Sequence, residues 1–115
     1  MKMKAKVIKS HHSDIAIPFQ AERGEHVRGE EKPTQWEGWL YCKNKVGVTG
    51  WVPKTFVTQV KDSTDTYQFT RDYNALEINA IKGEVVKIKE IESGWAKIEN
   101  KSGEVGWIPL ENLDL

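Results

Sequence analysis

The chain has 115 residues, of which 38% are hydrophobic and 30% are charged, and its 17 basic and 17 acidic residues give a formal net charge of zero. This length allows one ordinary domain or two very small ones, and it excludes a large enzyme fold with a deep cleft between lobes. No apolar run approaches the roughly 18 residues of a membrane span and no signal-peptide core follows Met1, so we expect a cytoplasmic protein without a membrane partner. The single cysteine, Cys42, excludes an internal disulfide and a multi-cysteine zinc site.

The charge is unevenly distributed along the chain. Residues 1–60 carry ten basic and six acidic residues, a net charge of +4, whereas residues 61–115 carry seven basic and eleven acidic residues, a net charge of −4. This difference predicts two units that attract one another in a preferred orientation, an attraction that salt weakens.

An internal repeat organises the chain. Three glycine-containing motifs occur twice, one at an offset of 59 residues and two at an offset of 56. They are Gly24-Glu25 with Gly83-Glu84, Gly38-Trp39 with Gly94-Trp95, and Gly50-Trp51-Val52-Pro53 with Gly106-Trp107-Ile108-Pro109. The change of offset predicts a longer loop in the first copy, around Trp36. Two copies of a unit of about 55 residues therefore account for nearly the whole chain.

Each copy shows the alternation of apolar and polar residues that predicts short β-strands. In chain order, the predicted strands span residues 26–31, 39–43, 48–52 and 57–60 in the first copy, and 85–91, 95–99 and 104–108 in the second. Pro53 and Pro109 each end a strand because proline lacks an N–H donor, and a 3₁₀ turn is expected to follow through residues 110–112. Five short strands in each copy predict a small, strongly bent sheet or barrel.

The boundaries between the copies follow from composition. Residues 61–66 are polar throughout, which is typical of a linker. We therefore predict a first domain over residues 1–60, a linker over 61–66 and a second domain over 67–115.

The order and spacing of these motifs resemble the SH3 (Src-homology-3) domain family, twice in tandem, in the style of bacterial proteins with paired SH3-like domains. Residues 69–73, Phe-Thr-Arg-Asp-Tyr, are similar to the family's opening Ala-Leu-Tyr-Asp-Tyr, and residues 53–57, Pro-Lys-Thr-Phe-Val, are similar to its closing Pro-Ser-Asn-Tyr-Val. The resemblance implies an all-β fold of two tandem SH3-like five-stranded small barrels.

SH3 domains that bind proline-rich peptides hold them on a shelf of exposed aromatic rings. Carried over by position, the first copy supplies Trp39, Pro53 and Phe56, while Lys9 and His11 stand at or near the family's two tyrosines. The second copy supplies Tyr73, Trp95 and Pro109, with Asn112 at the closing tyrosine and a short loop after Tyr73. Neither copy is therefore a complete reader of proline-rich peptides. Trp36, beside Pro33, either extends the first shelf or covers the end of that domain.

Other candidate residues receive structural interpretations. Trp51 and Trp107 are expected to pack against strands or a neighbouring domain, and Cys42 is expected to be a small buried hydrophobic residue. His11, His12 and Asp14 are chemically suited to a metal, but adjacent histidines on a strand point to opposite faces, so we expect solvated loop histidines and no metal. No phosphate-binding glycine loop, catalytic carboxylate pair or nucleophile elbow is present, so neither an enzyme nor a cofactor is predicted.

The leading functional hypothesis is a non-catalytic module that binds an extended or proline-rich peptide segment of another protein. Peptidoglycan binding, which the resemblance to bacterial SH3-like domains also implies, is the first alternative, and the absence of an export signal argues against it. Nucleic-acid binding is the second alternative, but the lysines of the first half are dispersed and the second half is acidic. Fold alone does not choose among these functions.

Overall fold

The structure, a computed structural model, describes residues 3–14, 17–34 and 36–115. Within these ranges it contains two 3₁₀ turns, at Lys54–Phe56 and Leu110–Asn112, and no α-helix, which confirms the predicted all-β class. The strands are β1 Met3–Val7, β2 Gln20–Ala21, β3 His26–Glu30, β4 Trp39–Lys43, β5 Thr49–Pro53, β6 Val57–Gln59, β7 Thr66–Phe69, β8 Tyr73–Asn74, β9 Val85–Glu92, β10 Trp95–Glu99, β11 Val105–Pro109 and β12 Leu113–Asp114. No described segment is a helix of the length and apolarity that a membrane crossing requires.

The chain forms two compact units whose bounds differ from the predicted domains. One unit, here called the terminal unit, combines Met1–Ala16 with Leu76–Leu115. The other, the central unit, is the continuous segment Ile17–Ala75. The chain therefore passes from one unit to the other twice, instead of completing one domain before beginning the next.

The terminal unit contains a five-stranded sheet in the order β11-β10-β9-β1-β12. Strand β1 lies in its interior, where Met3 is opposite Ile88 of β9 and Val7 is opposite Leu113 of β12. The first strand of the first copy thus completes the sheet of the second copy. Both of its neighbours are antiparallel to it.

The central unit contains the reciprocal arrangement, a five-stranded sheet in the order β5-β4-β3-β7-β6. Strand β7, the first strand of the second copy, lies between β3 and β6, with Tyr67 opposite both Val27 and Gln59. The short pair of β2 and β8 belongs to the same unit and joins Ala21 to Tyr73. The two copies have therefore exchanged their opening strands.

Residues 61–65 of the predicted linker form the turn of a hairpin between β6 and β7, and Thr66, the last predicted linker residue, is the first residue of β7. The Oγ atom of Ser63 accepts hydrogen bonds from the backbone N–H groups of Asp65 and Thr66, at 3.3 and 3.0 Å. Ser and Asp side chains stabilise turns in this way, so a polar composition typical of linkers was equally compatible with a tight turn. The predicted domain boundaries differ from the observed units for this reason.

The exchange also removes the charge difference between the two halves of the sequence. Because Lys2, Lys4, Lys6 and Lys9 belong to the terminal unit, that unit has nine basic and nine acidic residues. The central unit has eight of each. Both units thus have a formal net charge of zero, and the predicted attraction between oppositely charged domains loses its basis.

The two sheets do not close into the predicted barrels. In each described sheet the order is linear, so β11 and β12 are the two edges of one sheet and β5 and β6 the two edges of the other. Each pair of edge strands is joined by Pro53 or Pro109 and the 3₁₀ turn that follows it. Proline has no N–H to donate, so the hydrogen-bonded ladder of the sheet ends at this residue. This is the point at which the two edge strands would have to begin pairing to close the sheet into a barrel.

Close packing explains why glycine occurs at the first position of the repeated Gly-Trp-Val-Pro and Gly-Trp-Ile-Pro motifs. The core of the terminal unit includes Val7 and Ile98, both fully buried, and the core of the central unit includes Phe19 and Phe69. A Cβ atom at Gly50 would lie 2.6 Å from Cβ of Phe19, and one at Gly106 would lie 2.5 Å from Cγ2 of Ile78. The Gly-Trp-Val-Pro and Gly-Trp-Ile-Pro motifs therefore require glycine because a core side chain crosses directly over that strand.

Candidate functional site

The central unit brings together predicted site residues from both halves of the sequence. Trp39 begins β4, Pro53 ends β5, and Phe56 ends the first 3₁₀ turn. Tyr73, which the sequence analysis placed in the other domain, joins them through β8. Its ring centroid lies 5.4 Å from that of Phe56, with the rings at 76°, an edge-to-face arrangement that aromatic pairs favour. Strand exchange therefore supplies the tyrosine that the first copy lacks.

These residues do not form an exposed shelf. Trp39, Phe56 and Tyr73 are only 6%, 3% and 7% exposed, and Pro53 is fully buried. The phenol of Tyr73 donates a 3.0 Å hydrogen bond to the backbone carbonyl of Trp51. The prediction that these rings lie open to solvent is contradicted, because Tyr73 belongs to the packed aromatic centre of the central unit.

A cation covers part of Phe56. The guanidinium carbon of Arg71 lies 4.1 Å from the centroid of the Phe56 ring, within the range of a cation–π interaction. Arg71 stands at the first tyrosine of the opening motif that the chain resembles. A charged side chain thus lies against one of the rings predicted to face a ligand.

Two other aromatic rings in the central unit are accessible. Tyr41 on β4 is directly opposite Trp51 on β5, and both are partly buried. Their ring centroids are 5.2 Å apart at an interplanar angle of 68°. The Nζ atom of Lys32 lies 4.2 Å from the centroid of the Tyr41 ring. We call Tyr41 and Trp51 the aromatic pair, and Lys32 lies beside it.

The aromatic pair was missed as a site by sequence reasoning. The sequence predicts a structural role for Trp51 and does not single out Tyr41. Residues 39 and 41 are two apart on one strand, so their side chains point to the same face, and this spacing was the available signal. Trp39 is opposite Pro53 in the same way that Tyr41 is opposite Trp51, which makes a row on the outer face of β4 and β5 in which Trp39 and Pro53 are buried and Tyr41 and Trp51 are partly exposed.

The terminal unit assembles a different set at the corresponding positions. Trp95 on β10 is opposite Pro109 on β11; Trp95 is partly buried and Pro109 is buried. The ring of His11 meets Trp95 edge-on at a centroid distance of 5.9 Å, and its Nε2 lies 2.9 Å from Oε1 of Glu77. Asn112 is buried, and its amide donates to the backbone carbonyls of Lys9 and Ser10 at 2.9 and 3.3 Å. This surface therefore offers one tryptophan beside polar groups.

The remaining candidates from the sequence are Trp36 and the cluster of His11, His12 and Asp14. Trp36 is partly buried, and its backbone N–H donates a 3.4 Å hydrogen bond to Oγ1 of Thr34. His12 and Asp14 are highly exposed and 3.9 Å apart, whereas His11 is paired with Glu77. Among residues 3–14, 17–34 and 36–115, no group of three or more histidine, cysteine, aspartate or glutamate side chains is placed to hold a metal ion.

Cys42 is a buried thiol, as the sequence predicted. It is 1% exposed on β4, and burial raises its pKa from 9.0 to about 12. We expect iodoacetamide at pH 8 to leave Cys42 unmodified in the native chain and to modify it fully in guanidinium chloride, because the thiolate is the reactive form. The raised pKa also means that the folded state holds its proton more tightly than the unfolded state. Stability should therefore fall as the pH rises above about 9.

Mass spectrometry of the alkylated chain measures this directly. Rapid native-state modification at pH 8, at a rate close to that of the unfolded chain, would contradict the burial of this thiol. A denaturant series at pH 8 and pH 10 gives the second readout, with lower stability expected at pH 10.

Comparison with known proteins identifies a variant SH3 domain at residues 66–115. The matched segment covers the second copy, and its first ten residues lie in the central unit of the structure. SH3 domains are generally non-catalytic binding modules, and no catalytic family is indicated. Neither the comparison with curated proteins nor the comparison with solved structures gave a significant match.

Proposed function

We propose that this chain is a non-catalytic binding module, and that its central unit binds an extended segment of a partner protein along the outer face of β4 and β5. The observation that carries the proposal is the accessible aromatic pair, with Tyr41 and Trp51 directly opposite one another and their rings 5.2 Å apart. The variant SH3 domain at residues 66–115 supports the same class of function, since such domains generally bind peptide segments.

The chemistry of this face suits a peptide in an extended or polyproline II conformation. Flat rings provide contact area for pyrrolidine rings and aliphatic side chains, and they lose little conformational entropy on binding. Lys32 beside Tyr41 adds donors for the exposed carbonyl groups of such a peptide. Proline-rich segments are therefore the ligand class that we propose.

The remaining predicted site residues contribute to this surface in different ways. Trp39 and Pro53 continue the row of Tyr41 and Trp51 but are buried, so they support the ligand surface without forming part of it. Phe56 and Tyr73 lie beneath the surface and hold the row in place, because Tyr73 binds the carbonyl of Trp51. Trp36 is partly buried and lies in the loop that precedes β4.

The terminal unit provides a weaker version of this surface. Trp95 and Pro109 match Trp39 and Pro53, but the next position along the strands pairs Lys97 with Trp107. Trp107 is only 4% exposed, so no accessible aromatic pair lies there. We therefore assign the main ligand surface to the central unit and a secondary contact to the partly buried Trp95, with the buried Pro109 opposite it as a support.

The test is a titration of the full ¹⁵N-labelled chain with a proline-rich decapeptide. We expect shifts in the backbone signals of Tyr41 and in the indole N–H signal of Trp51. The variant Tyr41→Thr keeps a strand-forming residue but removes the ring, and it should weaken binding about three- to tenfold, as expected for the loss of one aromatic contact. Lys97→Thr is the matched control in the terminal unit and should bind like the unmodified chain.

Two results would reject the proposal. One is an absence of shifts on the outer face of β4 and β5 at millimolar peptide. The other is equal weakening by Tyr41→Thr and Lys97→Thr, which would mean that binding does not depend on the aromatic pair.

A further inference from the structure

A basic concavity lies on the same face of the central unit as the aromatic pair. It has a volume of about 480 Å³ and is lined by His26, Val27, Arg28, Lys43, Asn44, Lys45 and Thr66. His26, Arg28, Lys43 and Lys45 are all exposed, and no lining residue is acidic. We call these four residues the basic surface.

The sheet places two of these cations directly opposite one another. Arg28 on β3 is opposite Lys43 on β4, and on its other side Arg28 is opposite Thr66 on β7. Like charges in directly opposed positions destabilise an antiparallel pair. Glu30, two residues further along β3, is opposite Tyr41 and outside the lining. Within the described ranges, neither Arg28 nor Lys43 forms an ion pair.

At the corresponding position of the terminal unit, a carboxylate is opposite the cation. By the repeat offsets of 59 and 56 residues, Arg28 corresponds to Lys87 and Lys43 corresponds to Glu99. Lys87 and Glu99 are directly opposite, and Lys89 Nζ lies 3.4 Å from Oε1 of Glu99. One copy therefore places a carboxylate where the other has two cations directly opposite each other, with no ion-pair partner in the described part of the chain.

We propose that the basic surface binds acidic side chains of the partner segment, so that the ligand of the central unit is a peptide with an apolar or proline-rich part followed by aspartates or glutamates. This inference rests on the proposed function and specifies the chemistry of its ligand. Carboxylates of the partner would supply the counter-charge that Arg28 and Lys43 lack among the described residues.

Geometry favours one continuous ligand. Tyr41 and Lys43 are alternate residues of β4, so their side chains lie on the same face about 7 Å apart along the strand. An extended peptide presents its own alternate side chains at the same spacing. A segment that covers the aromatic pair therefore places its next side chains over Lys43 and Arg28.

A peptide fits the basic surface better than a nucleic acid does. Single-stranded nucleic acids bind through bases stacked on aromatic rings in addition to phosphate contacts. The rings nearest the basic surface are Tyr41 and Trp51, and the exposed carboxylate of Glu30, directly opposite Tyr41, would repel the phosphates of bases stacked there. Carboxylates need only the donors that Arg28, Lys43 and Lys45 provide.

The experiment compares two fluorescein-labelled octapeptides, Pro₄Glu₄ and Pro₄Gln₄, binding to the full chain at low salt. We expect Pro₄Glu₄ to bind about tenfold more tightly, and we expect the difference to shrink as salt is raised. The variant Lys43→Glu recreates the Lys87–Glu99 arrangement in the central unit, so it should abolish the preference without lowering the melting temperature. Lys101→Glu makes the same change of net charge in the turn of the terminal unit that corresponds to Lys45, and it should leave the preference intact.

The possible outcomes separate this inference from the proposed function. Equal binding of the two peptides by the unmodified chain, or equal loss of preference in both variants, would overturn the acidic ligand while leaving the peptide-binding face in place. Binding of neither peptide would overturn the proposed function and this inference together. Tighter binding of an eight-residue oligothymidylate than of Pro₄Glu₄, lost in Lys43→Glu, would make the basic surface a nucleic-acid site and overturn the peptide assignment.

Discussion

A fragment of residues 17–75 is expected to fold on its own, whereas a fragment of residues 1–60 is not. The first fragment contains all five strands of the central sheet, including β7, which lies between β3 and β6. The second fragment ends before β7 and so separates β6 from the rest of its sheet. It also removes Phe69, which is 1% exposed and stacks on Phe19 at a centroid distance of 6.0 Å. Loss of such a core strand exceeds the total stability of a domain this small.

Circular dichroism and ¹H–¹⁵N correlation spectra of the two fragments provide the measurement. We expect dispersed signals and cooperative melting for residues 17–75, and narrow, collapsed signals for residues 1–60. A folded 1–60 fragment would show that β1 takes the place of β7, so that the exchange of strands is not needed for either copy to fold.

The terminal unit allows a complementary control. A fragment of residues 76–115 lacks β1, the strand that separates β9 from β12, and it should be unfolded alone. Addition of a synthetic peptide of residues 1–16 should restore structure, since this peptide supplies Val7, which is fully buried in the terminal core. Folding of residues 76–115 without the peptide would contradict the observed strand order.

Most strands of this fold follow from local sequence. The predicted strands at residues 39–43 and 95–99 match β4 and β10, and the predicted 3₁₀ turn after Pro109 is observed at Leu110–Asn112. These elements depend on side-chain alternation and on the missing N–H of proline, which are properties of neighbouring residues. Such features can be predicted from a single chain.

The exchange of opening strands could not be predicted in the same way. Both copies begin with a short strand, and the pairing rule of an antiparallel ladder is satisfied by either one. Which strand enters which sheet depends on contacts distant in sequence, such as Met3 opposite Ile88 and Tyr67 opposite Val27. A polar segment at residues 61–66 favoured a linker, although its Ser63 forms a turn.

The residues of the candidate site could not be grouped from the sequence for the same reason. Assigned by position within each copy, Tyr73 belonged with Trp95; in the structure it contacts Phe56. The burial of Trp39 likewise depends on tertiary packing, so the sequence could place it on a face of β4 but not determine its exposure. The opposition of Arg28 and Lys43 was available only once the register of β3 and β4 was known.

Replacement of Tyr73 by alanine should destabilise the central unit by about 3–5 kcal/mol, the range found when large buried aromatic side chains are truncated. The Tyr73 ring packs against Phe56, Phe19 and Phe69, at centroid distances of 5.4, 6.4 and 6.2 Å. Tyr73→Phe keeps those contacts and removes only the hydroxyl that binds the carbonyl of Trp51, so it should cost about 1–3 kcal/mol.

Urea denaturation followed by NMR separates the two units, because signals from Val52 report on the central core and signals from Ile98 report on the terminal core. We expect Tyr73→Ala to lower the midpoint for Val52 more than for Ile98. His11→Ala is the matched control, since His11 stands near the corresponding tyrosine position of the first copy and its ring meets Trp95 in the terminal unit. It should act mainly on Ile98, and the reverse pattern for either variant would mean that the opening segments remain with their own copies.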